Sequence, residues 1–172
     1  MKRFLYLLLL VTFFTACKST SSIEPSKKGA TKEKSSRSDK RKNNQLAEQL
    51  INSAAENIGT KYKYGGTTST GFDCSGLMYT VFRSENITLP RNSFEQSKIG
   101  IVLDKKRDHA QKGDLIFFKT SKKTHINHVG IVIEVTDEEI KFIHSSTSKG
   151  VIISSTKEPY YKKTFVQINR IL

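Results

Sequence analysis

The chain has no tryptophan, three prolines and two cysteines in 172 residues, so no network of disulfides can hold it together. Acidic residues are also scarce, 16 against 29 lysines and arginines. No internal repeat is visible, which excludes solenoids and propellers. The longest apolar run, Phe4 to Phe14 (FLYLLLLVTFF), is 11 residues, short of the roughly 20 that span a bilayer. Lys2 and Arg3 precede it and Thr15-Ala16-Cys17 follow it. A positive start, a short apolar stretch and a small-residue exit are the pattern of an export signal.

The exit "FTAC" resembles a bacterial lipobox, with Phe14 where leucine is commonest. Residues 1–17 are accordingly expected to be a lipoprotein signal peptide, with Cys17 the lipidated new N-terminus. Lys18 after that cysteine favours an outer-membrane anchor facing the periplasm. Export implies an oxidising compartment, and a lipidated Cys17 leaves Cys74 no intrachain partner. The net charge of +13 is unevenly spread. Residues 18–43 carry nine Lys/Arg against three acids, and with Lys2 and Arg3 they hold +8, leaving +5 for 44–172. Residues 18–43 lack apolar periodicity and are rich in Ser, Lys and Thr, so they are expected to form a disordered basic tether. No nucleic-acid motif accompanies the charge, and nucleic acid is not expected as a partner.

From residue 44 the pattern changes. "NQLAEQLINSAAENIG" spaces Leu46, Leu50, Ile51, Ala54, Ala55 and Ile58 as one helical face, closed by Gly59. Gly65, Gly66 and Gly71 mark a loop, and a second helix starts near Cys74 with Leu77, Met78, Val81 and Phe82 on one face. Five β-rich runs follow, at 114–119, 127–135, 139–146, 150–155 and 165–172. Helices first and an antiparallel meander after them predict an α+β domain over 44–172.

Asp73 suits an N-cap, which puts Cys74 on the first helical turn, where free N–H groups and the helix dipole favour a thiolate nucleophile. Gly76 is expected to keep bulk from the sulfur. The alternative is a small apolar core residue. A nucleophilic cysteine needs a base held by a third group. Of four histidines, His109 reads as a loop residue and His125 lies among lysines. His128 leads into "VGIVIEV", and His144 in "FIHSS" lies on the next strand, where pairing can bring it to His128. The economical assignment is Cys74 nucleophile, His128 base and His144 orienting the ring. A zinc site from His125, His128 and Cys74 is opposed by strand geometry, since residues three apart face opposite ways.

"YKYGG…GFDCSG", "LPRNSFEQ", "KGDLIFF", "HVGIVI" and "FIHSS" follow the order found in NlpC/p60 cysteine peptidases, which the whole of 46–172 resembles. The resemblance implies a papain-like fold, with the cysteine helix packed on an antiparallel sheet, and cleavage of bacterial peptidoglycan peptides. It carries nucleophile, base and third polar residue onto Cys74, His128 and His144. Tyr62 falls where the family places a tyrosine by the oxyanion and substrate site. Asp73 and Ser75 match residues that help hold the peptide. Arg91, Ser93 and Gln96 match a motif near the groove, with surface solvation an equal reading. No cofactor or metal is implied, and a monomer is expected.

The C-terminal "STSKGVIISSTKEPYYKKTF" looks closest to the lipoprotein branch of murein endopeptidases. No second folded module is evident before residue 44, so a groove open at both ends is expected. Both features favour the D-Ala–diaminopimelate cross-link as the bond cut. The γ-D-glutamyl–diaminopimelate bond and a non-catalytic wall-binding lipoprotein are the rival readings.

Overall fold

The computed structural model describes residues 28–103, 110–120 and 125–172, with the side chains of the first helix from 36 onward. Cys17 and His109 lie outside the described residues.

Helix α1 runs Lys28–Ala55. Its C-terminal half packs inward through Ala47, Leu50 and Ala54, while residues 36–45 are exposed. The disordered tether is expected over 18–43; residues 28–43 are helical, and 18–27 lie outside the described residues. Lys, Glu, Arg and Ala are good helix formers, and the docked half of α1 supplies the nucleus that a solvated helix lacks. Gly59 (φ +90°) then reverses the chain.

Two short strands, β1 (Thr67–Thr68) and β2 (Gly71–Phe72), form a hairpin that leads into helix α2, Cys74–Ser84. Leu77, Met78, Val81 and Phe82 of α2 are buried, as their helical spacing requires. One turn of helix, α3 (Ser93–Gln96), and strand β3 (Ile101–Val102) follow. The main strands are β4 (Leu115–Phe118), β5 (His128–Val135), β6 (Ile140–Ser146), β7 (Gly150–Ser155) and β8 (Phe165–Arg170). Helix α4, Pro159–Thr164, connects the last two.

The large sheet has the order β3-β8-β4-β5-β6-β7, entirely antiparallel. It is α+β, but not the simple meander expected. β8 crosses back to pair with β4, with Leu115 opposite Asn169. The crossing is secured by polar contacts in β8 itself. Arg170 donates from Nη2 and Nε to the buried Asp114 carboxylate at 2.9 and 3.1 Å. Asn169 Nδ2 donates to the Ser97 and Ile99 carbonyls at 2.9 and 2.8 Å.

Period-two alternation gives the sheet two faces. Leu115, Phe117, Val129, Ile131 and Ile143 face α1 and α2 in one core. Ile116, Phe118, Val132, Phe142 and Ile168 form a second core with Tyr161 of α4. By the pairing of Phe118 with His128, and of His144 with Ile152, both histidines project on the second face, away from α2.

Candidate active site

Asp73 caps α2, its Oδ1 accepting from the Gly76 amide at 2.6 Å. Cys74 is therefore the first helical residue and is 8% exposed. Its Sγ donates to the Asn127 carbonyl at 3.9 Å, and the Val129 amide also faces it. The sulfur thus sits against the backbone on both sides of His128, where β5 begins and its pairing with β6, which starts at Ile131, has not yet begun.

His128 Nε2 and His144 Nδ1 are 2.8 Å apart. His144 Nε2 lies 3.1 Å from both Ser154 Oγ and Tyr161 Oη. The two rings are diagonal neighbours across β5 and β6, with Gly130 between them. A Cβ on Gly130 would meet the Ile143 carbonyl at 2.7 Å and the His144 Cβ at 3.1 Å. Gly130 lets His144 lean toward His128. Sequence reasoning missed this, although a glycine inside a strand signals a close approach.

Burial pushes the Cys74 thiol up to about 11, with the Asp73 carboxylate adding to it and the Ser75 and Val129 amides opposing. The expected preference for thiolate is therefore not met. The helix-terminal N–H groups act in the expected direction but are outweighed by desolvation. Burial likewise takes His128 down to about 4, and burial with His128 beside it takes His144 down to about 3. Both shifts favour the neutral forms, thiol and imidazole.

Arg91, Ser93 and Gln96 are not merely solvated. Arg91 grips Asp73 with Nη2 on Oδ2 at 2.8 Å and Nη1 on Oδ1 at 3.0 Å, and Nη1 reaches Ser75 Oγ at 3.2 Å. Gln96 is fully buried, its Nε2 donating to the Ser75 and Pro90 carbonyls at 3.0 and 2.8 Å. Ser93 is buried at the start of α3. Burial would raise the Asp73 carboxyl, but Arg91 and the Gly76 and Gly65 amides more than offset it and hold it below its usual range.

Gly76 serves a different purpose from the one expected. Its missing Cβ would meet the Gly66 carbonyl at 2.0 Å and Asp73 Oδ1 at 2.9 Å. It makes room for the β1–β2 hairpin and for the Asp73 cap, not for a substrate at the sulfur.

A cleft of about 450 Å³ opens over Cys74, walled by Tyr62, Tyr64, Asp73, Ser75, Arg91 and Phe94. Burial raises the Tyr62 hydroxyl above its usual value, followed by the fields of Cys74 and Asp73. His125 is on the rim, exposed, with its ring edge against Phe94 at 5.4 Å. It does not join His128. Among the described residues no group of three His, Cys, Asp or Glu side chains is arranged to hold a metal.

The NlpC/P60 family model matches residues 59–170. The chain belongs to the NlpC/P60 family. It is 45% identical over 114 residues to the probable endopeptidase NlpC of Escherichia coli K12, covering 66% of this chain and 70% of that one. It is 36% identical over 132 residues to the murein DD-endopeptidase MepS/murein LD-carboxypeptidase of the same organism, covering 76% and 66%. To the gamma-D-glutamyl-L-lysine dipeptidyl-peptidase of Bacillus cereus it is 38% identical, covering 73% of this chain but only 37% of that one. A solved NlpC/P60 family protein from Bacillus cereus superposes with a TM-score of 0.64 at 38% identity, covering 73% of this chain and 40% of that one.

Proposed function

We propose that the chain is a cysteine peptidase of the bacterial cell wall that hydrolyses the D-Ala–diaminopimelate cross-link between peptidoglycan stems. The observation that carries the chemistry is the 2.8 Å contact between His128 Nε2 and His144 Nδ1, made by the residue whose flanking backbone meets the buried sulfur. In the tautomer with the proton on His128 Nε2, His144 accepts it and its own Nε2–H donates to Ser154 or Tyr161. His128 Nδ1, which has no hydrogen-bond partner among the described residues, is then a lone pair for the thiol proton. Cys74 attacks the amide carbonyl as that proton moves to Nδ1. His144 stabilises the imidazolium, which then protonates the leaving nitrogen. Water, deprotonated by the same ring, hydrolyses the thioester. Tyr62 lines the same cleft as Cys74, which supports the role of donor to the oxyanion.

The wall of the cleft supports the choice of bond. Asp73 is its one carboxylate among the described residues, and Arg91 neutralises it. No unpaired carboxylate is left among the described residues there to hold the free ammonium end of a short stem, so polymeric wall suits it better than released fragments. The name of the MepS relative points the same way, and the dipeptidyl-peptidase relative points to the rival bond. Anchoring through lipid on Cys17 in the outer membrane, facing the periplasm, belongs to the same reading, as does action as a monomer. Two or more acyl chains anchor stably whereas one does not, so Cys17→Ser should move the protein wholly from membrane to aqueous fractions.

The test is mass spectrometry of purified cross-linked dimers after incubation with the full chain in detergent. Monomers with intact tetrapeptide stems are expected, and none with Cys74→Ala. Dipeptide stems on surviving cross-links would assign the rival bond.

A further inference from the structure

A second cavity, of about 370 Å³, lies on the other side of the catalytic pair, with His128 on its wall together with Tyr160, Tyr161, Ser154 and Lys149. Cys74 borders only the first cleft and His128 only this one. The separation follows from the sheet. α2 packs on one face, while His128 and His144 project from the other, and the sulfur meets the backbone on either side of His128, where β5 is paired with β4 but not yet with β6. A scissile amide must place its carbonyl carbon at the sulfur and its nitrogen at the ring that protonates it. Its two halves then diverge, the acyl half along the first cleft and the amine half into the second.

The second cavity is polar. Thr120, Ser146 and Ser148 supply hydroxyls, and Lys149 stands in the β6–β7 turn, exposed, with no acidic partner among the described residues. Glu158 is the one acid on its wall, and its Oε1 already accepts from the Ser155 amide at 2.8 Å. The Tyr160 hydroxyl reaches the Thr120 carbonyl at 3.4 Å. The geometry points to this cavity as the seat of the amine-side half of the substrate, with Lys149 pairing a free carboxylate on the carbon that bears the leaving nitrogen. This rests on the proposed roles of Cys74 and His128, and it deepens the choice of bond. In the D-Ala–diaminopimelate link that carbon carries a free carboxylate. In the γ-D-glutamyl link the corresponding carboxyl is tied up in the next amide.

Calorimetry on the full chain in detergent tests it, using Cys74→Ala to prevent turnover. The probes are a diaminopimelate tripeptide stem, whose free amine is the leaving group of the cross-link, and the same stem with the adjacent carboxyl converted to carboxamide. An exposed charge pair is worth little, so the carboxylate form should bind about threefold to fivefold tighter. Adding Lys149→Gln should equalise the two probes, and Lys149→Arg should keep the preference. Equal binding to Cys74→Ala, or a preference that survives Lys149→Gln, overturns the inference. Failure of the bond assignment would show separately, as dipeptide stems in the digestion, and leaves this comparison readable.

Discussion

Replacing Arg91 by Met removes the two charge-assisted hydrogen bonds that Arg91 gives Asp73 while keeping most of the side chain's bulk. Asp73 would retain the Gly76 amide at 2.6 Å, the Gly65 amide at 2.8 Å and Ser75 Oγ at 3.2 Å. Hydrogen bonds to charged groups contribute roughly 1.5–3 kcal/mol each. The Arg91 side chain is 38% exposed and that of Asp73 is 11% exposed, so solvent screening reduces the pair toward a total of about 2 kcal/mol. With a urea slope of about 1–3 kcal/mol/M, the midpoint should fall by about 1 M at pH 7. The pH dependence distinguishes this from lost packing. The Asp73 carboxyl is held below its usual range. Its stabilisation is therefore present above the unfolded value of about 3.9 and is lost as pH falls through the lower folded value. The gap between wild type and Arg91→Met should be open at pH 5–7 and narrow below about pH 4. A double-mutant cycle with Asp73→Asn should give a coupling of about 1.5 kcal/mol. A gap at pH 7 under about 0.5 kcal/mol, or one unchanged at pH 3, would refute the reasoning.

The buried histidines predict an acid limb. His128 and His144 have folded values near 4 and 3 against an ordinary 6.5, so their stabilisation is present above 6.5 and is lost as pH falls through 4. Urea midpoints of wild type should drop over that range, and His144→Gln should flatten the slope; parallel profiles would count against it. Gly130→Ala pushes on His144 and should lower kcat about tenfold or more with KM little changed, an outcome that a wild-type kcat would exclude. Gly76→Ala has no room beneath the Gly66 carbonyl and should cost on the order of 3 kcal/mol of stability, read by thermal melting; a variant as stable as wild type would contradict the packing. Tyr62→Phe should reduce kcat about 10- to 100-fold at unchanged Tm if its hydroxyl serves the oxyanion, and an unaltered kcat removes it from that role.

Local signals made the two helices and the five main strands legible before any coordinates. Leu46, Leu50, Ile51 and Ala54 fall on one face because a helix repeats every 3.6 residues. Asp73 before Cys74 marks a helix start because a short acceptor side chain satisfies free amides. Order along the chain was enough to single out Cys74, His128 and His144. Local pattern misjudged residues 28–43, where polar composition signified disorder but a helix docked further along carries the conformation back through good helix formers.

Other features depend on partners distant in sequence. β8 sits beside β4 because Asp114 and the Ser97 and Ile99 carbonyls receive Arg170 and Asn169, a match no periodicity reports. The 2.8 Å pairing of the two histidines depends on register and on the empty Cβ position of Gly130. For Gln96 a place near the groove and a solvated surface are equal readings of the sequence; it is buried, because the backbone carbonyls of Ser75 and Pro90 converge on its amide. The charge state of Cys74 was misread for the same reason. A helix terminus is visible in sequence, but the burial that outweighs it is created only when α2, β5 and the cleft wall come together.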